Sequence, residues 1–293
     1  MKSNSLLFVS AMIWGFAFVA QRAGMEHVGP FMFNAARFAL GGISLIPLLL
    51  FNRNRAPSEK TPPPAAGRAI ISGGILAGLA LFMGISFQQL GIVHTTAGKA
   101  GFITGLYVVV VPILGLIWKQ SPGSGTWFGA VCAVVGLYFL SFTESFTMSF
   151  GDLLVLIGMF FWALHVHVID YYTTRIDSIQ LAFMQFVLCA MLSFIISLFV
   201  EVTTFQGVID AAIPILYAGV LSVGVAFTLQ VVAQREAHPA HAAIILSLEA
   251  VFAVLGGWLI LGETLALRGF VGCAFMLVGM LLSQLNFRAA RSS

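Results

Sequence analysis

Two ionisable residues interrupt long apolar runs in this 293-residue chain, Arg37 within 30–51 and Glu249 within 239–261. A guanidinium can hold a carboxylate through paired N–H donors, while a carboxyl in an apolar setting can anchor an ammonium or carry a proton. Each has a plainer reading. Arg37 could snorkel outward or pair with an acid such as Glu26, and Glu249 could be a structural residue bonded to a neighbouring hydroxyl or Arg. Lys99 lies one turn into another apolar run. There it could attract a carboxylate, repel cations, or simply snorkel to the interface. Trp14 and Trp162 offer π faces to an apolar group or a cation. Asn34, Tyr107 and Gln185 add hydrogen-bonding capacity, as do Gln21, Gln88, Gln89, Thr104, Gln230, Gln234 and Ser247, all of which can equally be helix-packing contacts.

The histidines suggest a metal less well than they first promise. His165 and His167 are two residues apart and point about 200° away from each other on a helix. Only His167 with Asp170, and His238 with His241, have facing spacing, so a pH-sensitive gate or plain packing is the better reading and no metal is expected. Cys132, Cys189 and Cys273 all fall in apolar runs without a CxxC partner, which argues against disulfides and zinc. No P-loop, Gly-x-Gly-Asp pair, Ser/His dyad or acidic diphosphate-metal motif occurs, so an intramembrane enzyme is a remote alternative and no cofactor is expected.

The elements that must position these side chains are membrane spans. Hydrophobic residues make up 59% of the chain and charged residues 9%, a composition that cannot cover a soluble fold with polar surface. A net charge of +3 is far too weak for nucleic-acid binding. At roughly 20 apolar residues per crossing, ten transmembrane helices are expected near 5–22, 30–51, 68–90, 96–118, 126–142, 150–170, 178–200, 208–233, 239–261 and 268–287. The one long connector, Asn52–Gly67, carries Pro57 and the triplet Pro62–Pro64 and reads as exposed and polar. The apolar stretch from Leu6 to Ala20 is followed by no small-x-small cleavage site, so it is expected to stay as the first span.

Placing the N-terminus inside puts Lys2, Arg53, Arg55, Lys60, Arg68, Lys119, Arg175, Arg235, Arg288 and Arg291 on the cytoplasmic face, against Arg22, Lys99 and Arg268 outside. The acids Glu26, Glu144, Asp152, Glu201, Asp210 and Glu263 lean outward. The basic bias predicts that both termini are cytoplasmic, and a compact chain of this kind suits a bacterial inner membrane.

The halves resemble each other. An offset of 148 residues lays the first two spans on the sixth and seventh, with Trp14 over Trp162 and Arg37-Phe38 over Gln185-Phe186. An offset of 143 lays the fourth span on the ninth, with Thr95-Thr96-Ala97 over His238-Pro239-Ala240 and Thr104 over Ser247. Five spans per half is an odd number, so the second half would enter the membrane from the opposite side, an inverted repeat with units at 1–145 and 146–293.

The blocks Thr95-Thr96-Ala97-Gly98-Lys99-Ala100-Gly101-Phe102-Ile103-Thr104-Gly105-Leu106 through Pro112, and Ala240 through Ser247-Leu248-Glu249-Ala250, resemble the paired motifs of the EamA-type branch of the drug/metabolite transporter superfamily. Leu261-Gly262-Glu263 is similar to that family's Leu-Gly-Glu ending of the ninth helix, whereas the first repeat has Trp118-Lys119-Gln120 where Leu-Gly-Glu is common. Ala250 stands where Pro often follows the Glu. The resemblance implies an all-α bundle of ten helices around a central pathway, exporting amino acids or other small metabolites; the inverted repeat leads us to expect alternating access, driven by the substrate's own gradient or by protons. Efflux of lipophilic cations is the alternative, differing only in substrate.

Overall fold

A computed structural model of the chain describes residues 2–53, 67–141, 149–262 and 267–285. The connector prolines, with Arg55, Lys60, Glu144, Glu263, Thr264, Arg288 and Arg291, lie outside the described residues. The described chain is helical throughout: α1 (Lys2–Gly24), α2 (Pro30–Arg53), α3 (Gly67–Ile92), α4 (Ala97–Ile117), α5 (Ser124–Ser141), α6 (Phe150–Thr173), α7 (Ser178–Val200), α8 (Ala212–Gln234), α9 (Pro239–Leu261) and α10 (Leu267–Leu285), with a short helix Phe205–Asp210 before α8. Eight of these, all but α5 and α10, are long and apolar enough to cross a membrane, and those two are shorter apolar helices. Large apolar side chains such as Phe128, Phe194, Phe199 and Ile213 face outward, as expected where the surrounding medium is hydrocarbon.

Packing is reciprocal between the halves. α1 packs on α9 as α6 packs on α4, and α3 packs on α7 as α8 packs on α2, while α2 meets α7 and α5 meets α10. The α5–α10 seam shows why. A Cβ on Gly129 would lie 2.7 Å from the Gly279 carbonyl oxygen, and one on Gly136 would lie 2.6 Å from that of Gly272. The 143-residue offset carries Gly129 to Gly272 and Gly136 to Gly279, so the two close approaches are exchanged with one another. Small residues here let two backbones touch, which is how apolar helices associate without a hydrophobic drive between them.

Helix ends are finished by side chains from other helices. α2 begins at Gly29-Pro30, which has no capping side chain of its own. Glu201, at the end of α7, accepts from the Phe31 and Met32 amides at 2.7 and 2.8 Å. At the end of α3, Arg22 donates to the carbonyls of Ile92 and Val93 at 2.9 and 2.8 Å. α6 carries its own capping box, Ser149 with Asp152.

α4 and α9 are both interrupted. α4 is two segments, Ala97–Gly105 and Tyr107–Ile117, and α9 is Pro239–Leu246 and Glu249–Leu261. At the breaks Leu106, Ser247 and Leu248 have ψ of −14°, −15° and −13°, the shallow values of a tightened 3₁₀ turn. The Leu106 and Leu248 amides accordingly donate to carbonyls three residues back, Ile103 and Ile245, each at 3.2 Å. The 143-residue offset places Leu106 on Glu249, immediately after the break in α9. The interrupted segments also touch: a Cβ on Gly101 would lie 2.8 Å from that of Ala253. α8 is distorted the other way, winding as wider π turns over Tyr217–Phe227.

Replacing Glu201 with Ala removes the acceptor from two charge-assisted bonds at the start of α2. We expect a loss of about 1–2 kcal/mol, read as a lower unfolding midpoint of the detergent-solubilised protein, with Glu201→Gln retaining part of the loss as a single remaining acceptor.

Candidate functional site

A cavity lies beside the two interruptions, lined by Thr104, Tyr107, Leu246 and Glu249 from their flanks. Trp14, Arg37, Tyr107, Trp162 and Glu249, five of the sequence candidates, line it. Gln21, Gln88, Thr104 and Gln230 line it as well. Tyr107 and Glu249 are the first residues of the second segments of α4 and α9, so the two breaks aim their side chains at one point. The Tyr107 hydroxyl lies next to the Glu249 carboxyl. Neither Tyr107 Oη nor Glu249 Oε1 has a hydrogen-bond partner of normal geometry among the described residues. Gln21 Oε1, Trp162 Nε1 and Gln230 Oε1, on the same walls, also lack one. Buried polar atoms rarely go unsatisfied. Five of the unpartnered polar atoms therefore share these walls, and the cavity is the candidate site for a polar ligand.

Arg37 is 1% exposed, and it is held by neutral groups instead of by an acid. Nε donates to Asn34 Oδ1 at 3.0 Å and a terminal nitrogen donates to Gln89 Oε1 at 3.4 Å, while the guanidinium sits 5.5 and 5.2 Å from the ring centres of Phe33 and Phe38. Insertion of an Arg at mid-helix costs roughly 2.5–3.5 kcal/mol, and hydrogen bonds to a charged group contribute about 1.5–3 kcal/mol each. Two such bonds can therefore keep Arg37 in place without a counterion. Asn34, a sequence candidate for ligand contact, is thus a positioning residue in the fold, and it is not among the residues that line the cavity.

Two further candidates lie elsewhere. Gln185 is buried against His165, whose Nε2 is 2.7 Å from Gln185 Oε1, and does not line the cavity. Lys99 pairs with Asp152 at 2.5 Å instead of facing the cavity. His167 Nε2 lies 2.8 Å from the Val111 carbonyl oxygen and Asp170 accepts from Gln120 at 3.4 Å, so these side chains join helices. Among the described residues no three of His, Cys, Asp and Glu converge as a metal would require.

Phe227 was not legible as a site residue. It ends the π-wound stretch of α8, and its ring is 4.5 Å from Trp14, 5.7 Å from Trp162, 6.0 Å from Phe38 and 6.1 Å from Phe186. Trp14 also donates from Nε1 to the Ser222 carbonyl within the π stretch, at 3.3 Å. Phe38 and Phe186, which the 148-residue offset superposes, touch at 6.0 Å. The aromatic wall is therefore built where equivalent residues of the two halves converge. The only sequence signal for Phe227 is its 143-residue mate Gly84, which abuts the Trp162 ring.

Residues 1–142 and 149–285 each match the EamA-like transporter family. The chain belongs to that family. Among its relatives, an uncharacterized transporter of Archaeoglobus fulgidus is 31% identical over 281 residues, covering 96% of this chain and 85% of its own length. The uncharacterized transporter YoaV of Bacillus subtilis is 24% identical, with 94% of each chain covered. The uncharacterized inner membrane transporter YedA of Escherichia coli is 26% identical over 54% of this chain and 49% of its own. A crystal structure sharing 16% identity superposes with a TM-score of 0.78 over 99% of both chains, which shows the shared fold. This EamA-like protein is thus a multi-pass membrane transporter and not an enzyme, and its partners are a small-molecule substrate and the lipid bilayer.

Truncating Phe227 to Ala removes a ring that contacts both cavity indoles. Loss of a buried Phe costs about 3–5 kcal/mol. The expected readout is a lower unfolding midpoint together with red-shifted tryptophan emission as Trp14 and Trp162 become more exposed to water.

Proposed function

We propose that this EamA-like protein is a secondary transporter that exports amino acids or similar small zwitterionic metabolites across the cytoplasmic membrane by alternating access. One observation carries the reading. Arg37 and Glu249, a guanidinium and a carboxyl, line the same cavity, and neither has an ionic partner among the described residues. A ligand bearing both a carboxylate and an ammonium would give each group an ionic partner at once, adding to the neutral contacts that already hold Arg37. Trp14, Trp162 and Phe227 would receive the remainder of such a molecule. A lipophilic cation fits less well, because it would meet Arg37 in the same space.

In this reading all ten helices cross the bilayer, α5 and α10 included. The chain divides at 145/146 into two inverted five-helix units that rock around the cavity. The reciprocal helix contacts and the exchanged glycine approaches of the α5–α10 seam support that division. The excess of Lys and Arg at one end supports cytoplasmic termini, and the inner membrane of a bacterium is the proposed location, as for the inner membrane transporter YedA among its relatives. Protons are the proposed coupling ion, with Glu249, beside Tyr107, as the group that would carry them. Asn34 and Gln185 serve from behind the wall, and Lys99 lies outside the cavity.

Two tests follow. Purified protein in liposomes should exchange or release labelled amino acids. Failure to move any member of a broad metabolite panel in either direction would overturn the reading. In a thermal-stabilisation panel, Arg37→Gln should weaken stabilisation by amino acids about tenfold or more, the loss of one bidentate ion contact, yet spare amines that lack a carboxylate. Glu249→Gln should do the converse, sparing carboxylic acids that lack an amine. Should Glu249→Gln lower protein yield alone, with ligand response unchanged, its role is structural.

A further inference from the structure

The repeat relates more than the cavity. The 148-residue offset that lays α6 on α1 carries Asn4 onto Asp152, and the 143-residue offset that lays α9 on α4 carries Thr95 and Gly98 onto His238 and His241. In the fold the mates Asn4 and Asp152 each meet the start of an interrupted helix of the other repeat, at opposite ends of the bundle, through partners one register position apart: Lys99 falls on Ala242 and His241 on Gly98. At the start of α6, Asp152 meets the start of α4: Lys99 Nζ is 2.5 Å from Oδ2, and Thr95 Oγ1 donates to Oδ1 at 2.7 Å. At the start of α1, Asn4 meets the start of α9: His241 Nε2 is 3.1 Å from Asn4 Oδ1, while its Nδ1 lies 3.1 Å from Ser283 Oγ. Each contact joins a helix of the first repeat to one of the second.

Helix capping does not account for the first contact. The capping box of α6 needs only the Ser149 amide, 2.8 Å from Asp152 Oδ2. The bonds from Lys99 and Thr95 come from the other repeat. Asp152 is 1% exposed and the Lys99 side chain only 31%, so the pair is shielded from the screening that makes surface ion pairs weak. The contact at the other end is carried by an amide and an imidazole. Charge-assisted bonds are roughly twice as strong as neutral ones.

We propose that these two contacts are the paired latches of the transport cycle, Asp152 with Lys99 and Thr95 closing one end and Asn4 with His241 closing the other. Opening either end parts its own latch while the other holds. Because the latches differ in strength, the unloaded protein rests closed at the Asp152 end and opens at the Asn4 end. In the orientation proposed above, that end is the cytoplasm, where an exporter must load. The inference rests on the alternating-access reading, but its test requires no substrate.

Cys132, Cys189 and Cys273 are replaced by Ala, and a single reporter is placed on the cavity wall as Ser222→Cys. Sealed vesicles of either orientation are then treated with a membrane-impermeant maleimide. The parent should react faster from the Asn4 side. Asp152→Asn should raise labelling from the Asp152 side about fivefold, the change that roughly 1 kcal/mol makes in a two-state equilibrium. Asn4→Asp, which sets an acid against His241, should lower labelling from the Asn4 side by a similar factor. Lys99→Arg should keep the parental pattern. If Asp152→Asn folds poorly, Lys99→Gln, which leaves the capping box and the Thr95 bond in place, should raise labelling from the Asp152 side in its stead. Unchanged labelling in well-folded Lys99→Gln would overturn the latches, as would unchanged labelling in well-folded Asp152→Asn and Asn4→Asp. A protein that moves no amino acid yet shows these shifts loses the substrate reading and keeps the latches. One that transports amino acids with unshifted labelling does the reverse.

Discussion

A backbone amide or carbonyl inside a bilayer has no water to bond with, and each one left open costs several kcal/mol. That constraint organises this molecule. Where a helix starts without its own cap, Glu201 arrives from α7 to accept two amides of α2; where α3 stops, Arg22 takes its last carbonyls. Where α4 and α9 break, tighter turns keep the bonds made. Irregular backbone at such depth is tolerable only when it is packed in protein or borders a polar cavity, and both breaks do border one.

The same constraint accounts for the cavity's chemistry. A broken helix turns its side chains through an angle that a continuous one could not, and each break here begins a new segment with a polar residue, Tyr107 or Glu249. Arg37 comes from an unbroken stretch of α2 and needs a different kind of support, supplied by Asn34 on its own helix and Gln89 on α3. The cavity is therefore held by three devices: breaks that aim, hydrogen bonds that hold, and a π-wound stretch of α8 that carries Phe227 to the indoles of α1 and α6.

Much of this was legible in the sequence because it follows from where charge and apolarity sit. Scarce charges expose the helices and single out Arg37 and Glu249, and the paired Trp14 and Trp162 announce the repeat. What could not be read was partnership. Nothing in the neighbourhood of Lys99 says that its charge is taken by Asp152, 53 residues on, nor that Gln185 turns to His165 and away from the cavity. Phe227 was hidden for another reason. It is one of 27 Phe, and its position depends on a widened helix that leaves no mark in an apolar pattern. The fourth and ninth spans read as continuous for the same reason, since no Gly-Pro pair marks either break.

A duplicated unit begins with two copies of every side chain, so a site on its internal axis would at first present the same chemistry twice. Here the copies have diverged. The position that is Arg37 in one half is Gln185 in the other, and the position that is Glu249 in the second half is Leu106 in the first. The scaffold kept its near-symmetry of packing, while the cavity lining became polar in one direction. A head-and-tail molecule would therefore have a single pose in it, and would travel the whole passage without turning over.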